Sequence, residues 1–157
     1  MSHGIFTPPN AFNEPVKSYA PNSVEKKEVL EQYQKMYNSK VTIPLYIGNN
    51  QIITTTQKNI APPHDHQHII GSYSIAEPEH IQQAIHSALK TKKDWESISW
   101  SKRATIFLKA ADLLATKYRP YINGTTMLGQ SKNAFQSEID AACELIDFLR
   151  FNVHFLS

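Results

Sequence analysis

The stretch AFQSEIDAACELIDFLRFNVHFLS, from Ala134 to Ser157, constrains this chain most: read as a helix, it is apolar on two sides, with a carboxylate inside one of them. At about 100° per residue, Phe135, Ile139, Ala142, Leu145, Ile146, Leu149, Val153 and Leu156 share one broad arc, the face of an ordinary core helix. Roughly opposite, Ala141, Glu144, Phe148, Phe151 and Phe155 follow i+3 and i+4 steps into an aromatic stripe containing one acid. A helix apolar on two sides is expected to be sandwiched inside a larger protein, and an ionised acid there is costly unless it meets a cation. Two sources fit: an Arg or Lys elsewhere in the protein, or a ligand ammonium held against an aromatic wall. Periodicity does not decide between them. Glu138 lies on the main core arc, where it can cap or pair within the fold.

The rest of the chain is sufficient for one such domain. Its 157 residues are 41% apolar and 19% charged, a globular balance. The 16 basic and 14 acidic side chains are spread out, with a net charge of +2 and no basic block or aromatic-basic interleaving, so no nucleic-acid partner is expected. No apolar run approaches the ~18 residues of a membrane span. The N-terminus MSHGIFTPPNAFNEP lacks both a secretory apolar region and the Arg-rich character of a transit peptide, so a cytoplasmic protein is expected. Cys143 is the sole cysteine, which excludes an intrachain disulfide and a four-thiolate zinc site. Lying beside Glu144 and far from any helix N-terminus, it reads as a packing residue with a raised thiol pKa.

Along the chain, residues 1–22 hold Pro8, Pro9, Pro15 and Pro21 and no helical period, so they form an extended arm. A helix follows from Val24 to Tyr37, with Asn22 and Glu25 spaced as a capping box. VTIPLYIGNNQIITTT, interrupted by Gly48, Asn49 and Asn50, predicts a hairpin over 41–56, and HIIGSYSIA over 68–76 a further strand. Pro78 starts a helix with Ile81, Ala84, Ile85, Ala88 and Leu89 on one side. Another runs from Ser101 to Lys117 with Phe107, Ala110, Ala111 and Leu114 inward. A fourth runs from Pro120 to about Leu128, with Gly129 placed as its C-terminal cap. The last helix ends the chain with its apolar faces uncovered, which implies self-association or a longer protein.

Most other motifs resolve to ordinary structure. His64, His66 and His68 alternate in PPHDHQH, so an extended backbone would align three imidazoles for zinc or copper, although loop histidines beside prolines are commoner. The five glycines, at 4, 48, 71, 124 and 129, nowhere form G-x-G-x-x-G, and GQSK at 129–132 is not a P-loop. Asn123-Gly124-Thr125 matches a glycosylation sequon by chance. No Ser, His and Asp set has the local context of a triad.

The block SKRATIFLKAADLLATKYRPYINGTTMLGQSKNAFQSEIDAACELIDFLRFN resembles the N-terminal part of the aldehyde dehydrogenase superfamily. There a helix beginning at an Arg-Ala pair and continuing as LKAADLL precedes a Gly-Lys type turn and a helix rich in Phe and Tyr. EIDAACELIDFLRFN, FLKAADLL and NEPVKSYAP are most similar to the branch that oxidises L-glutamate γ-semialdehyde to L-glutamate in proline breakdown. The likeness runs from Asn13 onward. It implies an α/β architecture of NAD-binding Rossmann-like domain, catalytic domain and oligomerisation flap. This chain would supply the arm (1–22) and an incomplete N-terminal part of the NAD-binding domain (23–157).

The implied chemistry is a cysteine thiolate attacking the aldehyde, hydride transfer to NAD+, and hydrolysis of the thioester with help from a glutamate. Both catalytic residues belong to later sequence, and Cys143 does not match the nucleophile. Glu144 matches the family's acid that contacts the substrate amino group, which makes it the substrate-binding candidate and a ligand ammonium its cation. Ser131 stands where the family's turn has glycine. The implied partners are a small-molecule substrate, the remainder of the enzyme and further copies in a homo-oligomer, with no nucleic acid or membrane. The chain alone should be inactive and bind NAD poorly. A noncatalytic helical interaction module is the competing expectation, and a metal-binding module at His64, His66 and His68 a third.

Overall fold

The computed structural model describes residues 6–157. They divide into two compact units, one holding the chain through Tyr33 together with Ser99–Ser157, the other Gln34–Ile98.

In the first unit the arm has neither helix nor strand between Phe6 and Ala20. Helix α1 (Val24–Tyr37), within which the division falls, is capped by Ser23, whose Oγ accepts the Lys26 amide at 3.3 Å. Asn22, the expected cap, instead takes a left-handed turn at φ 67°, a conformation its short polar side chain tolerates. Helix α3 (Trp100–Ala115) is capped by Ser99 and buries Ala104 and Ala111. Phe107, expected inward, is exposed. Helix α4 (Arg119–Gln130) opens with Pro120 in its first turn, where the missing N–H costs nothing. It runs through Gly129 and ends at Ser131, which takes the left-handed position at φ 56° that the sequence suggested for Gly129.

The last helix is not continuous α. It comprises α5 (Ala134–Ser137), a π turn over Glu138–Cys143 and α6 (Glu144–Leu156), with the Glu144 amide donating to the Ile139 carbonyl. The wider turn carries everything N-terminal to it one step round, so Glu138 takes the core position an unbroken wheel gives to Ile139. Glu138 and Ser137 are accordingly fully buried, whereas Phe135 is 50% and Ile139 40% exposed. From Ala142 onward the expected arc holds at Ala142, Ile146 and Val153, although Leu145 and Leu156 are exposed. Ala111, Ala142 and Ile146 form the core, packed by Leu114, Ala115, Ile122 and Leu149. Alanines at this crossing let α3 and α6 approach closely, and theirs is the most extensive helix contact.

The second unit holds two small sheets. Strand β1 (Val41–Ile43) runs parallel to β5 (Gly71–Ser74), and β4 (Gln57–Ile60) pairs antiparallel with β5, giving the order β1-β5-β4. Strands β2 (Leu45–Ile47) and β3 (Asn50–Ile52) form a separate hairpin that turns at Gly48, φ 58°. The hairpin expected over 41–56 is thus confined to 45–52. Pro44, with no N–H, breaks the run and releases Val41–Ile43 to the other sheet. Strand β4 was not foreseen, since QKNI has no apolar alternation, while β5 lies within the strand expected at 68–76. Parallel pairing sets Gly71 opposite Val41 so closely that a Cβ there would lie 2.2 Å from the Val41 carbonyl oxygen. Helix α2 (Pro78–Ser97) carries its expected apolar stripe but buries none of it: Ile81, Ile85 and Leu89 are all exposed. Among the described residues no helix is long and apolar enough to cross a membrane.

Candidate functional site

Two acids six positions apart on the last helix have opposite surroundings, and together they define the candidate site. Glu138 lies in the π turn. Its carboxylate accepts the Arg119 guanidinium from the start of α4, the Lys17 amide at 2.8 Å, the Tyr19 hydroxyl at 2.8 Å and Asn123 Nδ2 at 2.9 Å. Arg119 also pairs with Glu14 and donates to the Pro15 carbonyl at 2.8 Å, and Arg150 donates to the other Glu14 oxygen at 2.6 Å. The arm is therefore clasped by buried charge: Arg119 is 2% and Glu138 0% exposed.

The titrating groups respond to this setting. Burial would raise the Glu138 carboxyl, but Arg119, the Lys17 amide, Tyr19 and Asn123 outweigh it and hold it below the ordinary carboxylate value. Burial works against the charged Arg119, yet Glu138 and Glu14 push its pKa above the usual value. Burial, followed by the bond to Glu138, raises the Tyr19 phenol. Tyr19 takes a left-handed backbone, φ 53°, rare for a bulky residue and held here by the anchoring of its hydroxyl to Glu138 and Asn123.

Glu144, the substrate-binding candidate, is the first residue of α6 and is exposed. Among the described residues it has no ion pair. Its neighbours on the aromatic stripe are equally uncovered, Phe148 at 57% and Phe155 at 78%, while Phe151 is half-buried. The arm fixes the adjoining flank of the helix. Asp147 accepts Asn13 Nδ2 at 2.8 Å and the Glu14 amide at 2.6 Å, and Arg150 lies 4.4 Å from the Phe12 ring centre. The result is a carboxylate beside aromatic rings on a braced helix, an arrangement suited to an ammonium.

The remaining candidates are structural. Cys143 is buried, and its thiol is pushed up to about 11, first by burial and then by the Glu138 charge rather than by Glu144. At neutral pH it is a protonated packing residue. Asn123, the sequon asparagine, is fully buried and donates to Glu138 and Tyr19. The backbone around His64, His66 and His68 is folded into turns, with the Asp65 amide on the Pro62 carbonyl and the His68 amide on the Asp65 carbonyl. His68 stacks on Tyr37 with ring centres 3.9 Å apart and bonds its carbonyl at 2.6 Å. The three imidazoles are not gathered. Among the described residues Glu77, Glu79 and His80 do come within 4.8 Å, at the solvent-facing start of α2, where His80 Nδ1 accepts the Glu77 amide.

Sequence reasoning placed Glu138 on the core side and allowed it to pair, but it missed Arg119, Glu14, Tyr19 and Asn123. Their partners are more than a hundred residues away or lie in the next helix, 15 to 19 residues on, so no local period reveals them. The one signal was Arg119 itself, a cation at the head of a helix, immediately before Pro120.

Residues 49–156 match the aldehyde dehydrogenase family. The chain belongs to that family. It is similar to the probable delta-1-pyrroline-5-carboxylate dehydrogenase of Schizosaccharomyces pombe, 42% identical over 97% of this chain and 28% of the relative. The mitochondrial delta-1-pyrroline-5-carboxylate dehydrogenase of Dictyostelium discoideum is 39% identical over 94% of this chain and 26% of the relative. The fold superposes on the crystal structure of the delta-pyrroline-5-carboxylate dehydrogenase from Mycobacterium tuberculosis bound with NAD, with a TM-score of 0.96 and 38% identity over 99% of this chain and 29% of that one. The fold is thus the expected part of the aldehyde dehydrogenase architecture. The chain spans about 28% of the length of the curated relatives it matches.

Proposed function

We propose that this chain is the N-terminal segment of an NAD-dependent dehydrogenase that oxidises L-glutamate γ-semialdehyde, in equilibrium with 1-pyrroline-5-carboxylate, to L-glutamate in proline degradation. Glu144 receives the α-ammonium of the substrate. The observation that carries this reading is an exposed carboxylate on an aromatic stripe, with no cation of the described chain to neutralise it, in a segment that matches dehydrogenases of this name over nearly its whole length.

The residues present do not form a dinucleotide cradle, because no Gly-rich turn opens a helix here, and no chemical step is assigned to this chain. Its own contribution is to hold the amino end of the substrate on α6 and to provide helices for the NAD-binding domain. Residues 1–22 serve as an arm and 23–157 as the incomplete N-terminal part of that domain. By itself the chain is inactive. In the whole protein the exposed stripes of α2 and α6 are covered by the rest of the enzyme, which assembles as a homo-oligomer. The cytoplasm is the proposed compartment, and the mitochondrial name of the Dictyostelium relative sets the competing one.

In the full-length enzyme, Glu144→Ala is expected to raise KM for the semialdehyde by roughly a hundredfold, through loss of a charge-assisted bond, while KM for an aldehyde lacking the amino group stays within twofold. Equal changes on both substrates would show Glu144 to be structural. A noncatalytic interaction module is the second reading, favoured by the same uncovered Phe148 and Phe155. A transcript that continues past the Ser157 codon into further domain sequence would remove it.

A further inference from the structure

We propose that Glu138, clasped by Arg119, is a positioning residue for Glu144: it holds the π turn that decides which way the Glu144 carboxylate faces. This rests on the reading of Glu144 as the ammonium-binding acid.

The geometry of the turn carries the inference. Arg119 Nη2 pairs with Glu138 and also reaches Cys143 Sγ at 3.6 Å, while Cys143 Sγ lies 3.8 Å from Glu138 Oε1. In an α-helix, positions five apart are turned about 140° from one another, too far to face a single guanidinium. The π turn brings them to the same side, and its defining bond is made by the Glu144 amide to the Ile139 carbonyl. Such turns are rare, occur mostly as single turns within α-helices and are frequent at functional sites.

Here the holding group is the Glu138 carboxylate, saturated by Arg119, Asn123, Tyr19 and the Lys17 amide. Downstream, Ile146 and Val153 fix α6 in the core. Glu144 stands at the junction between the two anchors. If the Glu138 anchor is lost, the extra residue relaxes toward α bonding, and the junction residue turns by up to about 100°. Two of the four partners of Glu138 come from the arm, so Glu144 is aimed only once Lys17 and Tyr19 have docked.

The test is made in the full-length enzyme with Glu138→Gln, which keeps the side-chain shape and removes the charge, and with Tyr19→Phe, which deletes one bond to Glu138. Glu138→Gln is expected to raise KM for the semialdehyde about tenfold, with kcat and the KM of an amino-free aldehyde each within twofold. Tyr19→Phe should move the same ratio of KM values by about threefold, and it carries the test if Glu138→Gln does not fold. In a Glu144→Ala background both effects on the ratio should vanish, because nothing is left to aim. If Glu144→Ala alters the ratio but neither variant does, or if their effects persist without Glu144, the positioning role is overturned while the substrate-binding reading stands. If Glu144→Ala leaves the ratio unchanged, the substrate-binding reading itself falls.

Discussion

The two units hold themselves together by different means. The helical unit is organised around charge: Arg119 and Glu138 sit with 2% and 0% exposure beside a small core of Ala111, Ala142 and Ile146. The sheet unit has an ion pair too, but Lys92 and Glu96 are on the outer surface of α2 with side chains 65% and 57% exposed. Its constraints are those of backbone, a parallel strand pair closed over Gly71 and a hairpin turned at Gly48. Each unit therefore fails by a different kind of substitution. A charge deleted in the first leaves its partner stranded, whereas in the second an added methyl group does the damage.

The largest effect expected comes from breaking the buried pair. Arg119→Met would leave Glu138 without its cation, and removing one partner of such a pair costs about 3–5 kcal/mol. Lys92→Met, at an exposed pair, should cost no more than about 0.5 kcal/mol. Urea denaturation followed by circular dichroism compares the two, and similar losses would end the distinction between the units. The sign of the pH dependence follows from the depressed Glu138 pKa. Its contribution is fully present above the unfolded carboxylate value, about 4.3, and is lost as pH falls through the lower folded value.

Next in size is Gly71→Ala. The added Cβ would sit 2.2 Å from the Val41 carbonyl oxygen and 2.9 Å from Val41 Cγ1, so β1 has to move away from β5. A loss of about 1–3 kcal/mol is expected, as for other forced overpacking. Hydrogen exchange should show it as lost protection at the amides joining β1 and β5, with α3 and α6 unaffected. Loss of protection in α3 instead would mean that the units do not respond separately.

How much of this was legible in the sequence follows the same division. The helices at 24–37 and 78 onward, the αL cap region near residue 130 and the apolar arc from Ala142 to Val153 could be read because each depends on neighbours within two turns. The β1 to β5 pairing could not, because Pro44 only says that a run is broken and not where its first half goes. The candidate site was legible at Glu144, an acid out of place on an aromatic stripe. The clasp around Glu138 was readable only as an acid able to pair, since Glu14 and Tyr19 come from an arm more than a hundred residues away. The π turn left its trace as a mismatch, with Phe135 and Ile139 on the apolar arc of an ideal wheel yet exposed in the fold.

The smallest effect expected has the opposite sign. Ser131 closes α4 at φ 56°, ψ 27°, a backbone that costs an L-residue roughly 1 kcal/mol and glycine almost nothing. Helices commonly end on a left-handed glycine for this reason. Ser131→Gly should therefore stabilise the helical unit. Part of the relief is offset by the greater freedom glycine gives the unfolded chain, which leaves a net gain of about 0.5 kcal/mol. The gain should appear as a higher urea midpoint with an unchanged slope. A loss of stability would mean that the Ser131 side chain contributes more to the turn than its backbone costs. That result would make this helix end, like the Glu138 clasp, a place where side chains hold a backbone it would otherwise leave.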